Sequence, residues 1–110
     1  MTHDIFSVHK EDSVDFVLSI MKWKNIHHMP VINGDRELEG LISWTDVEAY
    51  LDKGHRKHNK VSKLMKTEII TIDQYSSVDD AKQLMIKHGI GSLPVIKKNK
   101  LIGLITKNDF

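Results

Sequence analysis

The sequence predicts an α+β protein made of two β-α-β-β-α repeats packed about a pseudo-twofold axis. Two observations carry this prediction: the chain repeats itself, and both copies show the same order of periodic segments. At an offset of 64 residues, ten of the first 32 positions are identical to their counterparts. After a one-residue deletion, five of the nine positions in 38–46 match 101–109. Repeats of this kind bury their apolar faces against each other.

Each repeat opens with a β-rich run, at residues 5–8 and 69–72. A helix follows, with Ser13 or Ser77 as its N-cap, and Ser77 with Asp80 fits a capping box. Helical spacing predicts one buried face on each of these two helices. The residues of these faces are Val14, Val17, Leu18 and Met21, and then Val78, Ala81 and Met85.

Two strands and a second helix complete each predicted repeat. The strands are residues 29–33 and 38–43 in the first repeat and residues 93–97 and 101–106 in the second. The first pair turns at an Asn-Gly-Asp sequence, residues 33–35, and the second pair turns near residues 98–99. The second helix is predicted from about Thr45 to Leu51 in the first repeat.

Residues 53–60 are polar and charged, which is typical of a linker. They divide the chain into a first repeat at residues 1–52 and a second at residues 61–110, which begins with a short helical turn at residues 61–65. Met1 aligns with an internal residue of the second copy, and the second copy ends where the first continues into a helix. We therefore expect a fragment of a longer polypeptide, shortened at the start of repeat one and at the end of repeat two.

Composition narrows the class of protein. The 110 residues are 40% apolar, which is enough for a folded core. The 16 basic and 15 acidic side chains nearly balance, so we expect no nucleic-acid partner. Because the chain has no cysteine, disulfides and cysteine-based zinc sites are excluded. No apolar run approaches the roughly 18 residues of a membrane span, and we expect a cytoplasmic protein without membrane contact.

A Gly-Leu-Ile-[Ser/Thr]-x-x-Asp segment ends both repeats, with Ser43 and Asp46 in the first and Thr106 and Asp109 in the second. A carboxylate can accept two hydrogen bonds from a bound ligand. A helix that begins beside the carboxylate directs backbone N–H groups toward an anion. The alternative is that both aspartates only cap their helices, a role that suits aspartate well.

The Met-Pro-Val-Ile and Leu-Pro-Val-Ile strands, each followed by this segment, resemble the CBS domain family over essentially the whole chain. The resemblance implies a tandem CBS pair (a Bateman module) that binds AMP, ADP, ATP or S-adenosylmethionine as a regulatory ligand, with no tightly bound cofactor. It implies that Asp46 and Asp109 bond the ribose hydroxyls, while Ser43 and Thr106 face the ribose or phosphate.

The stretch Ile-His-His-Met-Pro-Val at residues 26–31 resembles the Ile-His-Arg-Leu-Pro-Val stretch of nucleotide-sensing kinase gamma subunits. This implies phosphate contacts for two histidines, whose alternative role is that of ordinary surface side chains. The family resemblance also implies sites that mix the repeats. Site one would contain Asp109, Thr106, His27, His28 and the strand start at residues 2–5, including Ile5. Site two would contain Asp46, Ser43, Ser92 and the strand start at residues 67–69, including Ile69, without an obvious phosphate partner.

Two functions follow from this reading. The first is a nucleotide-sensing homodimer that controls a host or partner protein, and the alternative is a dimerisation module with vestigial nucleotide sites. No nucleophile paired with a base can be assembled from the motifs, so no catalytic residues are expected. His55 and His58 have the spacing of half a metal site, but no ligand-bearing residue accompanies them in the linker, and no metal is expected.

Overall fold

A computed structural model describes residues 5–109, apart from the side chain of Asn108. Residues 6–69 form one compact unit, and residues 70–109 together with Ile5 form another. We call them the N-terminal unit and the C-terminal unit. Each has its own apolar core, one around Val17, Met21 and Met29 and one around Met85 and Leu93.

Helix α1, Val14–Lys24, opens the regular structure of the N-terminal unit. It begins after Ser13 because the Ser13 hydroxyl accepts a hydrogen bond from the Phe16 N–H at 3.1 Å. It ends at Asn25, whose left-handed backbone (φ 53°) closes the last turn. All four residues of the predicted apolar face are buried, which confirms the helical spacing: Val14, Val17, Leu18 and Met21.

Strands β1, His28–Ile32, and β2, Leu38–Ser43, pair antiparallel beside this helix. The strand predicted at residues 5–8 is wrong in extent, because only Val8 pairs, as a parallel bridge with Val31. The chain turns directly after Val8, since the N–H of His9 donates to a carboxylate oxygen of Asp12 at 2.9 Å. That turn prevents the strand from continuing beyond Val8.

The linker is part of the N-terminal unit's hydrogen-bonded structure. The N–H groups of Val14 and Asp15, at the start of α1, donate to the carbonyl oxygens of Asn59 and Lys57 at 2.9 and 2.8 Å. These are donors that a helix leaves without an internal partner. A short 3₁₀ turn, Val61–Lys63, follows where a longer helical turn was predicted at residues 61–65.

The C-terminal unit contains strand β3, Ile72–Asp73, helix α3, Val78–His88, and strands β4, Ser92–Lys97, and β5, Lys100–Thr106. β3 pairs parallel with β4, which pairs antiparallel with β5. The opening strand is again shorter than the prediction at residues 69–72. The predicted capping box of α3 is confirmed, because Ser77 and Asp80 each accept a backbone hydrogen bond from the other.

The predicted buried face of α3 is wrong at Val78. Ala81 and Met85 are buried as expected, whereas the side chain of Val78 is 67% exposed. Its counterpart Val14 is fully buried in a core cluster that includes Val61, the residue that directly follows the linker. Among residues 70–109, no comparable segment hydrogen-bonds to the first turn of α3.

The two hairpins have the same strand register, which confirms the internal repeat. Pro30 faces Leu41 and Pro94 faces Leu104, and the pairing shifts after Val31 and after Val95 in the same way. Equivalent residues therefore occupy equivalent places in both sheets.

The hairpin turns differ between the units. Lys98 and Asn99 both have positive φ, as a tight two-residue turn requires. In the N-terminal unit the left-handed residue is Arg36, and not the glycine of the predicted turn. There the side-chain oxygen of Asn33 accepts from the N–H groups of Asp35 and Glu37, both at 2.9 Å. This loop is one residue longer than the loop of the second hairpin, and the Asn33 side chain stabilises it.

Candidate functional site

Ser43 and Asp46 bond each other at the junction of β2 and helix α2, Trp44–Asp52. The Ser43 hydroxyl accepts from the Asp46 N–H, and the Asp46 carboxylate accepts from the Ser43 N–H, both at 3.1 Å. This is a capping box, with Ser43 as the N-cap and Asp46 in the first turn. The capping role considered for Asp46 is therefore real, but it is shared with Ser43.

The same carboxylate position recurs in the C-terminal unit. A short 3₁₀ helix, Lys107–Asp109, follows β5, and the Asp109 carboxylate accepts from the Thr106 N–H at 2.7 Å. In both units the aspartate is thus anchored to the backbone of the Ser or Thr three residues earlier. The sequence motif corresponds to one repeated local geometry.

Capping occupies only part of the hydrogen-bond acceptor capacity of the Asp46 carboxylate. One oxygen accepts the Ser43 N–H, and the other lies 3.6 Å from the ammonium nitrogen of Lys66. A carboxylate offers about four acceptor positions. The Asp46 side chain keeps 21% of its exposure, so acceptor capacity faces solvent. Capping and binding of a diol are compatible roles for the same side chain.

The two histidines lie beside Ser43 in the N-terminal unit. His28 begins β1 and is paired with Ser43, and the carbonyl of His27 accepts the N–H of Trp44 at 2.8 Å. The exposed ring of His27 lies 6.3 Å from the indole of Trp44, which is half-buried against the core.

The C-terminal unit repeats this arrangement with uncharged residues. Ser92 is paired with Thr106, and the carbonyl of Gly91 accepts the N–H of Lys107 at 3.3 Å. Ser92 is only 4% exposed. The start of each first hairpin strand therefore lies beside the Ser or Thr of its own unit.

The predicted site residues divide between the two units. Asp109, Thr106 and Ile5 of site one belong to the C-terminal unit, and Asp46, Ser43 and Ile69 of site two belong to the N-terminal unit. His27 and His28 belong to the N-terminal unit and Ser92 to the C-terminal unit. The groupings across repeats stay predictions, and residues 2–4 lie outside the described residues.

Sequence reasoning missed a cavity of about 550 Å³ in the N-terminal unit. Asp46 and Tyr50 line it from one face of α2, and Lys53, the C-cap residue, continues the same row at the end of the helix. His55, Asn59 and Lys63 line it from the linker and the 3₁₀ turn. The sequence spacing of Asp46, Tyr50 and Lys53 could have suggested that these three lie together. The other three lining residues reach them only because the linker docks against α2.

The cavity wall is ordered by one aromatic pair. The rings of Tyr50 and His55 stack at 4.3 Å with an angle of 18° between their planes. The Tyr50 hydroxyl accepts from the side-chain amide of Asn59 at 2.7 Å. These contacts hold the linker against α2. Across the described part of the chain, no group of three metal-ligating side chains accompanies them.

The model of the CBS domain family matches residues 1–53 and again residues 61–110. This chain belongs to the CBS domain family. It is a tandem CBS pair with a mixed α+β fold, as the repeat and the two motifs predicted. None of the helices in residues 5–109 has the length and apolar character needed to cross a bilayer.

Relatives and solved structures agree with this assignment. A CBS domain-containing protein of Dictyostelium discoideum is 31% identical over 121 residues, covering 99% of this CBS pair and 83% of the relative. The Vibrio cholerae protein AcuB superposes with a TM-score of 0.95 and 25% identity over 100% of this chain and 83% of its own. CBSX2, solved in complex with AMP, has a TM-score of 0.86 and 25% identity, covering 96% and 84% of the two chains.

Proposed function

We propose that this CBS pair is a regulatory module that binds an adenine nucleotide and controls a host or partner protein. The observation that carries the proposal is the recurrence of one anchored carboxylate, Asp46 and Asp109, at the same helix start in both units. The similar CBSX2, in complex with AMP, supports an adenosine ligand. The ligand class comprises AMP, ADP, ATP and S-adenosylmethionine.

In this proposal the two carboxylates accept hydrogen bonds from ribose hydroxyls, with Ser43 and Thr106 beside them. His27 and His28 are phosphate contacts of the Asp109 site. Ile5 belongs to that site, whereas Ser92 and Ile69 belong to the Asp46 site.

Regulation follows from differential affinity. A ligand can shift the conformational equilibrium of the module, and hence of its host protein, only by the difference between its affinities for the two conformations. No covalent step is required, so the proposed protein is a sensor and not an enzyme. We propose that it acts in the cytoplasm as a homodimer.

Calorimetry with adenosine, AMP, ATP and S-adenosylmethionine tests the proposal. Asp46→Ala and Asp109→Ala should each weaken binding at their site by about 1–3 kcal/mol, the usual cost of losing a charged acceptor. Asp80→Ala is the matched control, because Asp80 caps α3 in the same geometry as Asp46 but lies outside the ribose motif. It should lower stability by about 0.5–2 kcal/mol and leave ligand affinity unchanged.

The alternative function is an interaction module with vestigial sites. It is favoured by the apolar surface of α1, where Phe16 is 49% and Trp23 is 72% exposed. Sedimentation distinguishes the two functions together with the titrations. A stable dimer that gives no heat and no thermal shift with any of the four ligands would establish the alternative.

A further inference from the structure

We propose that the cavity along α2 is the phosphate subsite of the Asp46 site, and that it selects nucleoside di- and triphosphates over AMP. The inference rests on the proposed function, because it takes Asp46 as the ribose acceptor. It adds a phosphate partner to the site for which the sequence offered none.

Charge is the first argument. Lys53 and Lys63 line the cavity, and neither forms an ion pair with another described residue. The negative charge of Asp46 is already balanced by Lys66 at 3.6 Å. The remaining net charge of the cavity is positive, and an ammonium group is a strong hydrogen-bond donor to phosphate oxygens.

Shape is the second argument. The space of about 550 Å³ is a cleft that is open to solvent, which suits a charged, well-hydrated phosphate chain and not an apolar ligand. The stacked Tyr50 and His55 rings and the Tyr50–Asn59 hydrogen bond fix one wall of the cavity. A fixed wall lowers the entropic cost of holding a ligand.

Distance is the third argument, and it favours a ligand with more than one phosphate. Lys53, the C-cap residue of α2, follows Asp46 by seven residues, which places their backbones about 10 Å apart along the helix axis. A single 5′-phosphate stays close to the ribose that carries it. The second and third phosphates of ADP and ATP extend farther from the ribose and reach the lysine end of the cavity.

The test isolates the Asp46 site by using the Asp109→Ala background. Calorimetry with adenosine, AMP and ATP should show the tightest binding for ATP. Adding Lys53→Gln and Lys63→Gln should lower ATP affinity about tenfold, the effect expected from losing charged hydrogen bonds at a partly exposed site. AMP affinity should change less, and adenosine affinity should not change.

Lys82→Gln with Lys87→Gln is the matched control, because it removes the same charge from exposed positions on α3. It should leave the ATP preference intact. Two results would overturn the phosphate subsite: equal affinity of the Asp109→Ala protein for ATP and AMP, or equal ATP affinity of the two proteins that carry the added lysine substitutions. Adenosine binding in the same experiments would still support the nucleotide site. Failure of adenosine, AMP and ATP to bind the Asp109→Ala background, with binding retained by the unsubstituted protein, would also overturn the inference, and failure of all three to bind the unsubstituted protein would overturn the proposed function.

Discussion

The side chain of Met65 lies directly over Gly40. A Cβ atom at Gly40 would be 2.5 Å from the Met65 sulfur and 3.2 Å from its Cβ. Gly40 is in the middle of β2, opposite Val31, and the neighbouring residues Leu41 and Lys66 exchange two backbone hydrogen bonds at 3.0 Å. Those bonds hold Met65 in place, so a side chain at residue 40 has little room.

Gly40→Ala should therefore destabilise the protein by about 1–3 kcal/mol, the typical cost of overpacking a fitted core. Gly34→Ala is the control, because nothing lies within 4 Å of its added Cβ and its φ is not positive. The control should be neutral or slightly stabilising. Urea unfolding measures both, and an equal effect of the two changes would show that Met65 moves aside at no cost.

Replacing His27 and His28 by glutamine should weaken AMP binding severalfold without changing adenosine affinity. Glutamine keeps a hydrogen-bond donor but cannot carry the positive charge that a histidine gains near neutral pH. His88→Gln, at the exposed end of α3, is the matched control. If titration calorimetry shows equal losses for AMP and adenosine, the histidines shape the site and do not contact phosphate.

Tyr50→Phe should destabilise the protein by about 0.5–1.5 kcal/mol, because it removes the hydrogen bond from Asn59 but keeps the stacked ring. Tyr75→Phe removes a hydroxyl from a residue that is 85% exposed and should have no measurable effect. Thermal unfolding compares the two variants. A silent Tyr50→Phe would mean that the hydrogen bond from Asn59 does not help to hold the linker.

The ion pair between Glu11 and Lys60 makes stability depend on pH. The hydrogen bond from Lys60 and its charge lower the pKa of the Glu11 carboxyl. The stabilisation is therefore present above the ordinary glutamate pKa and lost as pH falls through the lowered value. Glu11→Gln should lower Tm slightly at pH 7 and not at strongly acid pH. Glu48→Gln on the exposed side of α2 is the control, and a Glu11 effect that is independent of pH would contradict the assignment.

Local patterns were enough to predict much of this fold. The N-caps Ser13 and Ser77 and the hairpin strands were predictable because apolar spacing and capping chemistry depend on residues a few positions apart. The repeat also identified equivalent positions, such as Asp46 and Asp109, because aligned residues of two copies occupy the same place in each.

What the sequence did not reveal depends on distant contacts. Val78 has the same spacing as Val14, but only Val14 shares a core with Val61, the residue that directly follows the docked linker. The cavity was missed for the same reason, because Lys63 meets α2 only after the linker folds back. Charge and polarity correctly predicted that most side chains of residues 53–60 are exposed. Composition could not predict that the carbonyl groups of Lys57 and Asn59 accept hydrogen bonds from α1.

The docked linker also determines where the molecule can be divided. The repeat of the sequence ends near residue 52, but the carbonyl oxygens that complete the first turn of α1 come from Lys57 and Asn59. A half-molecule designed from the repeat alone would expose two helix N–H donors and the apolar side chain of Val14. A half-molecule that extends through residue 69 keeps them covered, so the smallest piece suited to separate expression or transplantation is longer than the duplicated segment.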